Sequence, residues 1–353
     1  MERLKWVDVS KGSAIFLVIV GHSCEPDGQL ARAIFSFHMP FFFFIAGYLF
    51  KDDVTFPKLI IKKSTRLLLP YFCTMTIVFL YWYSIERHIM NDINSPQSVL
   101  ISLAKIFILG SGVAIPQFKN IHPVGGLWFV ACLFLAEVIF YSLIKTSKKL
   151  NKTIQWVMVI VFCLSGYIIS RFTFLPWSAD IALFAQIFLF IGFKFRENDV
   201  FNKKIPFIFY SIMFFLWVVS WLNHPISMNN RDYYNVVFPI IGAIIGCVLF
   251  IKSCIKLSKI KFIGDILSYL GQISIVILAF HVMDVANLHF NTLRQLEFLY
   301  KNHDNWALLS LFRLFFSIII TEMARCIPLV NKCYGLTNPI FNKYIYNKSK
   351  ICN

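Results

Sequence analysis

Apolar side chains fill this chain in long runs separated by short polar connectors. The runs show no strand-like alternation, and each is long enough to cross roughly 30 Å of hydrocarbon as a helix. They fall at about 5–24, 33–50, 67–85, 125–144, 154–170, 177–193, 205–222, 233–251, 266–283 and 304–322. The pattern predicts an all-α integral membrane protein with about ten transmembrane helices. One further segment, "SVLISLAKIFILG" at 98–110, is shorter and amphipathic; it suits the membrane interface better than a span and leaves an extra crossing open. The connector around it, 86–124, is the longest in the chain and too long for a simple link, which makes it a candidate lid on the substrate side. The first run has a basic start but no small-x-small cleavage site before "EPDG", so it is expected to stay attached as a span.

Composition strengthens this picture. Of the 353 residues 58% are hydrophobic and only 15% are charged, below the quarter or so usual in soluble domains. A net charge of +16 would suit a nucleic-acid partner on a soluble domain, but here the basic residues sit in connectors, and no nucleic-acid binding is expected. With the N-terminus placed inside, the inner segments carry 25 of the 34 Lys and Arg and the outer ones 8; the remaining one, Arg313, lies inside the last span. This alternation predicts cytoplasmic N- and C-termini, a cytoplasmic tail at 323–353 and an external loop at 86–124, in a single polytopic domain over 1–353. Eight of the nine cysteines, all but Cys24, fall in apolar runs or on the predicted cytoplasmic side, so no disulfide framework is expected. No metal-ligand cluster, glycine-rich phosphate loop or Ser-His-Asp order stands out.

Polar residues inside the first two runs carry the candidate chemistry. Helix one reads "WVDVSKGSAIFLVIVGH". Lys11 and His22 are eleven residues apart, almost three turns, and Asp8 lies one turn below Lys11. All three therefore share one face, with the imidazole ~16 Å above the charges. Charge at such depth is costly and usually faces a bundle interior or a water-filled cavity. The plainer reading is that Lys11 snorkels to the headgroups and His22 caps the external helix end. His38, in "FSFHMPFFFFIAGYLF" at 35–50, shifts the balance, because it lies at about the depth of His22 on the descending second helix. A lone histidine in a span is often a core residue bonded to a carbonyl; two at one level in a short hairpin look like a site. Pro40 removes a backbone hydrogen bond and is placed to open helix two beside that pocket.

These two stretches, followed by "KKSTRLLLPY", resemble the membrane acyltransferase-3 superfamily, and within it the branch typified by fucose 4-O-acetylase-like enzymes. The first is similar to the family's Arg/Lys-x10-His element through Lys11 and His22, with Asp8 as the acidic residue before it. The second is similar to its "FHMPLFFFISGY" pattern through His38, Met39, Pro40 and Gly47, with Ala46 in place of the frequent Ser. The third matches its basic cytoplasmic element through Lys62, Lys63, Arg66 and Pro70. Downstream, "GGLWFVACLF" around Trp128 and Phe129 resembles the family's "LWFL" segment, and "GQISIVILAFH" resembles its late helix ending in a histidine, here His281. Lys11 stands where many relatives carry Arg, and the two are not equivalent donors. The resemblance spans nearly the whole chain and is concentrated in the first 71 residues.

What the resemblance implies is transfer of an acyl group, commonly acetyl, from cytoplasmic acyl-CoA to a hydroxyl of a cell-surface glycan or lipid-linked saccharide. The setting it implies is a bacterial inner (plasma) membrane, with acetyl-CoA or another acyl-CoA as co-substrate, membrane lipid as surroundings and no metal. On that reading His22 is a general base or briefly carries the acyl group itself, Asp8 and Lys11 orient the donor, and His38 assists proton transfer or stabilises the thioester oxyanion. Lys58, Lys62, Lys63 and Arg66, in an inner loop at 51–66, would hold the CoA phosphates; without the resemblance they simply obey the positive-inside rule. Weaker candidates for the sugar pocket are Trp128 with Phe129 as a stacking platform, Asp180, His281 and Arg313, the last expected to contact Glu137 or the acceptor. Trp128, Asp180 and His281 also read as ordinary interfacial residues. The competing function is a glycan or polysaccharide transporter or exporter. Ten spans and a broken second helix fit that as well, but no pair of Gly/Pro-interrupted helices occupies corresponding halves. The acceptor sugar, the size of the acyl group, an acyl-histidine intermediate and the oligomeric state, a homo-oligomer included, stay open from sequence.

Overall fold

The structure is a computed structural model that describes residues 4–25, 28–81, 83–84, 107–113, 124–148, 150–282 and 305–336. Most of the connector 86–124, of the segment 98–110 and of the tail 323–353 lies outside the described residues. The helices are α1 Lys5–Gly21, α2 Gln29–Phe35, α3 His38–Tyr48, α4 Phe56–Lys63, α5 Leu69–Tyr81, α6 Trp128–Ser147, α7 Lys152–Phe172, α8 Ala179–Phe184, α9 Gln186–Glu197, α10 Phe207–Asn223, α11 Val237–Leu257, α12 Lys261–Gln272, α13 Ser274–Val282, α14 Trp306–Arg325 and α15 Pro328–Tyr334. Among the described residues the only β-structure is an isolated bridge between Ser227 and Asp232.

Five helical stretches, Gln29–Tyr48, Gly125–Ser147, Lys152–Phe172, Val237–Leu257 and Trp306–Arg325, are long and apolar enough to cross a membrane. The bent pairs α8–α9 and α12–α13 raise the number to seven if each is one span. The chain is thus an all-α, multi-pass membrane protein. The remaining runs read as spans from sequence are shorter or charged: α1 and α10 have 17 residues each, and α1 carries Asp8 and Lys11. The bends are 52° in α8–α9 and 64° in α12–α13. They fall at Ala185 and Ile273, neither of which is a helix breaker, and so the sequence showed no interrupted pair there.

Two further departures from expectation matter for the site. The basic run 51–66 is a loop only over 51–55: α4 passes through a π turn, Ser64–Leu68, directly into α5, so that 56–81 is one continuous helical stretch. Pro57 in its first turn sets the start, where a missing N–H costs nothing. Lys62, Lys63 and Arg66 therefore project from a helix, and π turns recur at functional positions. The second span, in turn, breaks at Ser36–Phe37 rather than at Pro40 itself. A proline ring clashes with the carbonyl four residues earlier, which here is Ser36, so the interruption falls where Pro40 demands it. Side chains bond across the break: Trp217 Nε1 donates to Ser36 Oγ (3.0 Å), which donates to the Ala33 carbonyl (2.7 Å).

Small residues weld the bundle where helices cross. A Cβ on Gly12 of α1 would collide with the Leu267 carbonyl of α12, and one on Gly271 of α12 with the Asp8 carbonyl of α1. The same reciprocal arrangement joins α3 to α9 through Gly47 and Gly192. Close backbone approach through glycine is how membrane helices gain packing without a hydrophobic driving force. α6 lies at the centre, with 72% of its span buried against 22% for α7 at the rim. Exposed pairs Lys5–Asp265 (2.6 Å) and Lys148–Asp52 (2.7 Å) mark one end of the bundle. There the Lys148 ammonium holds the Asp52 carboxyl below the usual carboxylate range by a direct hydrogen bond. The eight described cysteines are all free.

Candidate active site

α1 is an unbroken helix whose two ends carry different chemistry. At its C-terminal end His22 occupies the cap position, exposed, with its ring packed between Phe35 (centroids 5.3 Å apart) and His281 (5.4 Å). His38, the first residue of α3, also packs on Phe35, with ring centroids 5.0 Å apart. His38 Nδ1 lies 3.3 Å from the Phe35 carbonyl, which can only accept; Nδ1 therefore carries the proton in the neutral ring and Nε2 keeps a free lone pair. Arg313 of α14 donates from Nη1 to the His22 carbonyl (2.8 Å) and to Ser23 Oγ (3.0 Å), which fastens the end of α1. The structure thus brings together His22, His38, His281 and Arg313, residues from four helices or their caps. Among the described residues no three His, Cys, Asp or Glu come together as metal ligands.

The other end of α1 meets the basic helix. Asp8 is buried and Lys11 half-buried, and the charges of Asp8, Lys63, Glu137 and Arg66 all act on Lys11. Lys63 forms an ion pair with Glu137, whose side chain is 5% exposed and whose second oxygen, Oε2, has no partner among the described residues. Glu137 lies ten residues from the Ser147 end of α6, ~15 Å along the axis, so this charge cluster reaches well inside the bundle. Lys62 and Arg66 are exposed beside it. The sequence left Arg313 to contact Glu137 or the acceptor; the structure gives Glu137 to Lys63 and Arg313 to the His22 cap, because α6 meets α4 and α14 meets α1. A lone carboxylate in an apolar run is the sequence signal that sets Glu137 apart.

The remaining candidates sit apart from both clusters. Asp180 is fully buried and gripped by Arg231, Nε to Oδ2 at 2.9 Å and Nη2 to Oδ1 at 3.3 Å, with the Leu175 N–H at 3.4 Å. Arg231 also donates to the Asn229 carbonyl (3.0 Å) and lies 4.1 Å over the Phe174 ring. Nothing in the sequence distinguished Arg231 from an ordinary loop charge. Trp128 is 3% exposed, covered by Gly112 and Phe129, and Phe129 packs on Phe42 and Phe43 in the core. Neither aromatic face is open to a sugar in this arrangement.

The geometry is a helix with an imidazole cluster at one end and a nest of buried and half-buried charges at the other. The family model described as "Acyltransferase domain" matches residues 4–322, which takes in both clusters. No curated protein and no solved structure matches the chain. With nine-tenths of the sequence inside that match, and its helices apolar enough to cross a bilayer, the chain belongs to the acyltransferase-3 superfamily and is a membrane acyltransferase.

Proposed function

We propose that this protein is an acyl-CoA:glycan O-acyltransferase, most simply an O-acetyltransferase of the fucose 4-O-acetylase-like branch. It would take acetyl or a related acyl group from cytoplasmic acyl-CoA and place it on a hydroxyl of a cell-surface or lipid-linked glycan. The proposal includes about ten crossings of a bacterial inner membrane with both termini cytoplasmic. The observation that carries it is the division of α1: His22 stands at one end among ring partners, and Asp8 and Lys11 stand near the other beside Lys63, Arg66 and Glu137.

Lys62, Lys63 and Arg66 hold the donor's phosphates by charge-assisted hydrogen bonds, and Lys11 and Asp8 guide the pantetheine arm along α1. At the far end His22 takes the proton of the sugar hydroxyl as its oxygen attacks the thioester carbonyl. The new C–O bond forms, the C–S bond breaks, and the proton leaves on the CoA sulfur. His38, with Nε2 unprotonated, lies beside this exchange and assists the proton's movement. The exposure of His22, beside half-buried Phe35 and buried His281, leaves room for a hydroxyl to reach it.

Purified protein in nanodiscs, given radiolabelled acetyl-CoA, tests the reading. Specific binding with slow acetate release that disappears in His22→Ala and weakens in Lys11→Ala supports it. Wild-type protein that binds neither acetyl-CoA nor succinyl-CoA overturns it.

A further inference from the structure

His281 is 2% exposed, and neither of its ring nitrogens has a hydrogen-bond partner among the described residues. Buried polar groups without partners are uncommon, because burial strips water without replacing its hydrogen bonds. The 64° bend at Ile273 redirects α13 from the line of α12, and α13 packs on α1, α14 and the Gly125–Leu127 turn. Gly126 permits that approach, since a Cβ there would meet Val282 Cγ2 at 2.9 Å. The bend delivers one imidazole to another: the His22 and His281 centroids are 5.4 Å apart, with planes at 45°. At that separation side-chain rotation alone brings facing nitrogens into hydrogen-bond range. Of the elements packed on α13, α1 brings His22 and α14 brings Arg313 to this ring; α5, α12 and the 125–127 turn bring it no charged group among the described residues. Arg313 offers only donors and is engaged at the His22 carbonyl and Ser23, so it cannot accept an imidazole N–H.

We infer that His281 is a positioning residue that accepts the N–H of the neutral His22 ring and so leaves the other His22 nitrogen free as the base. This rests on His22 being the base of the acyl transfer proposed above. When His22 takes the hydroxyl proton both its nitrogens carry hydrogen, and the His281 lone pair steadies the imidazolium until the proton passes to the departing CoA sulfur. His281 ends the cycle unchanged. Among the described ring contacts His22 meets His281 directly, whereas Phe35 packs against both His22 and His38.

The test compares full-length wild type, His281→Ala and His281→Gln in nanodiscs by acetyl-CoA turnover across pH and by 15N spectra of histidine-labelled protein. His281→Ala is expected to lower kcat on the order of 10- to 100-fold, the scale on which partners that fix a histidine tautomer act in metal sites, with KM for acetyl-CoA unchanged. Its acid limb should move to lower pH, because the acceptor that stabilises the imidazolium is gone while Arg313 remains. His281→Gln, whose amide oxygen accepts the same N–H, should recover most of the rate. The spectra should show one His22 tautomer in wild type and a mixture in His281→Ala. Unchanged kcat, pH profile and tautomer in His281→Ala overturn the inference, as does a loss that Gln fails to restore and that follows a raised KM and a lowered melting temperature. Wild type without His22-dependent turnover would sink the acyl-transfer reading instead, and the tautomer comparison would still decide whether His281 orients His22.

Discussion

Asp180–Arg231 and the histidine cluster both contain buried polar side chains, yet they are finished differently. Every nitrogen of the Arg231 guanidinium and both oxygens of Asp180 have a partner, and Phe174 closes one face. His281 has no partner for either nitrogen among the described residues, while its neighbour His22 stays exposed. A completed network holds its own elements together and leaves nothing for a substrate to bind. An incomplete one, kept in place by Arg313 on the His22 cap and by a proline-driven break before α3, keeps hydrogen-bonding capacity for a visitor. The same chemistry of burial thus separates a lock from a site.

The sharpest way to break the comparison is to remove one member of each cluster. His22→Ala should lower acyl transfer by about 10²- to 10⁴-fold, the usual worth of a general base, and leave the unfolding temperature near that of wild type. Asp180→Ala should do the reverse. It strands a buried guanidinium, which costs about 3–5 kcal/mol of stability, readable by thermal unfolding in detergent, while the protein that stays folded keeps its kcat. If Asp180→Ala instead raised the acceptor KM with stability intact, Asp180 would belong to the sugar pocket and the distinction between lock and site would fail there.

The charge nest falls between the two, since Lys63 is paired with Glu137 while Lys62 and Arg66 are exposed beside it. Lys63→Ala should raise the acyl-CoA KM on the order of 10- to 100-fold, the loss of a hydrogen bond to a charged group, with kcat little changed. A fall in kcat at constant KM would move Lys63 from donor binding to the chemistry. Gly12→Ala touches neither cluster's polar groups but drives a methyl into the Leu267 carbonyl. It should cost about 1–3 kcal/mol as an overpacked contact and lower activity by shifting α1, measured as a joint drop in unfolding temperature and rate.

The smallest effect belongs to the exposed end of the bundle. Asp52 titrates below its ordinary value because Lys148 donates to it, so its contribution is present above the unfolded carboxylate pKa and fades as pH falls toward the folded one. Asp52→Asn should remove that contribution, a slight loss of stability at neutral pH that shrinks as pH falls below about 4, where wild type loses the pair as well. An identical acid limb in mutant and wild type would remove the Lys148 pair from the account.

The sequence by itself determined what one helix can determine. Run length and apolarity decided a multi-pass membrane fold, and the spacing of Asp8, Lys11 and His22 decided that charge and imidazole share a face of α1, because 3.6 residues per turn leaves no alternative. Pro40 announced a break, and its place at Ser36 follows from the clash with the carbonyl four residues back. Tertiary structure alone decided the pairings. Lys63 meets Glu137 across 74 residues, Asp180 meets Arg231 across 51, and Arg313 reaches the His22 carbonyl across 291. No local pattern encodes such distances. The close α1–α12 approach at Gly12 and Gly271 and the bend at Ile273 are likewise tertiary, since both depend on what the neighbouring helix presents.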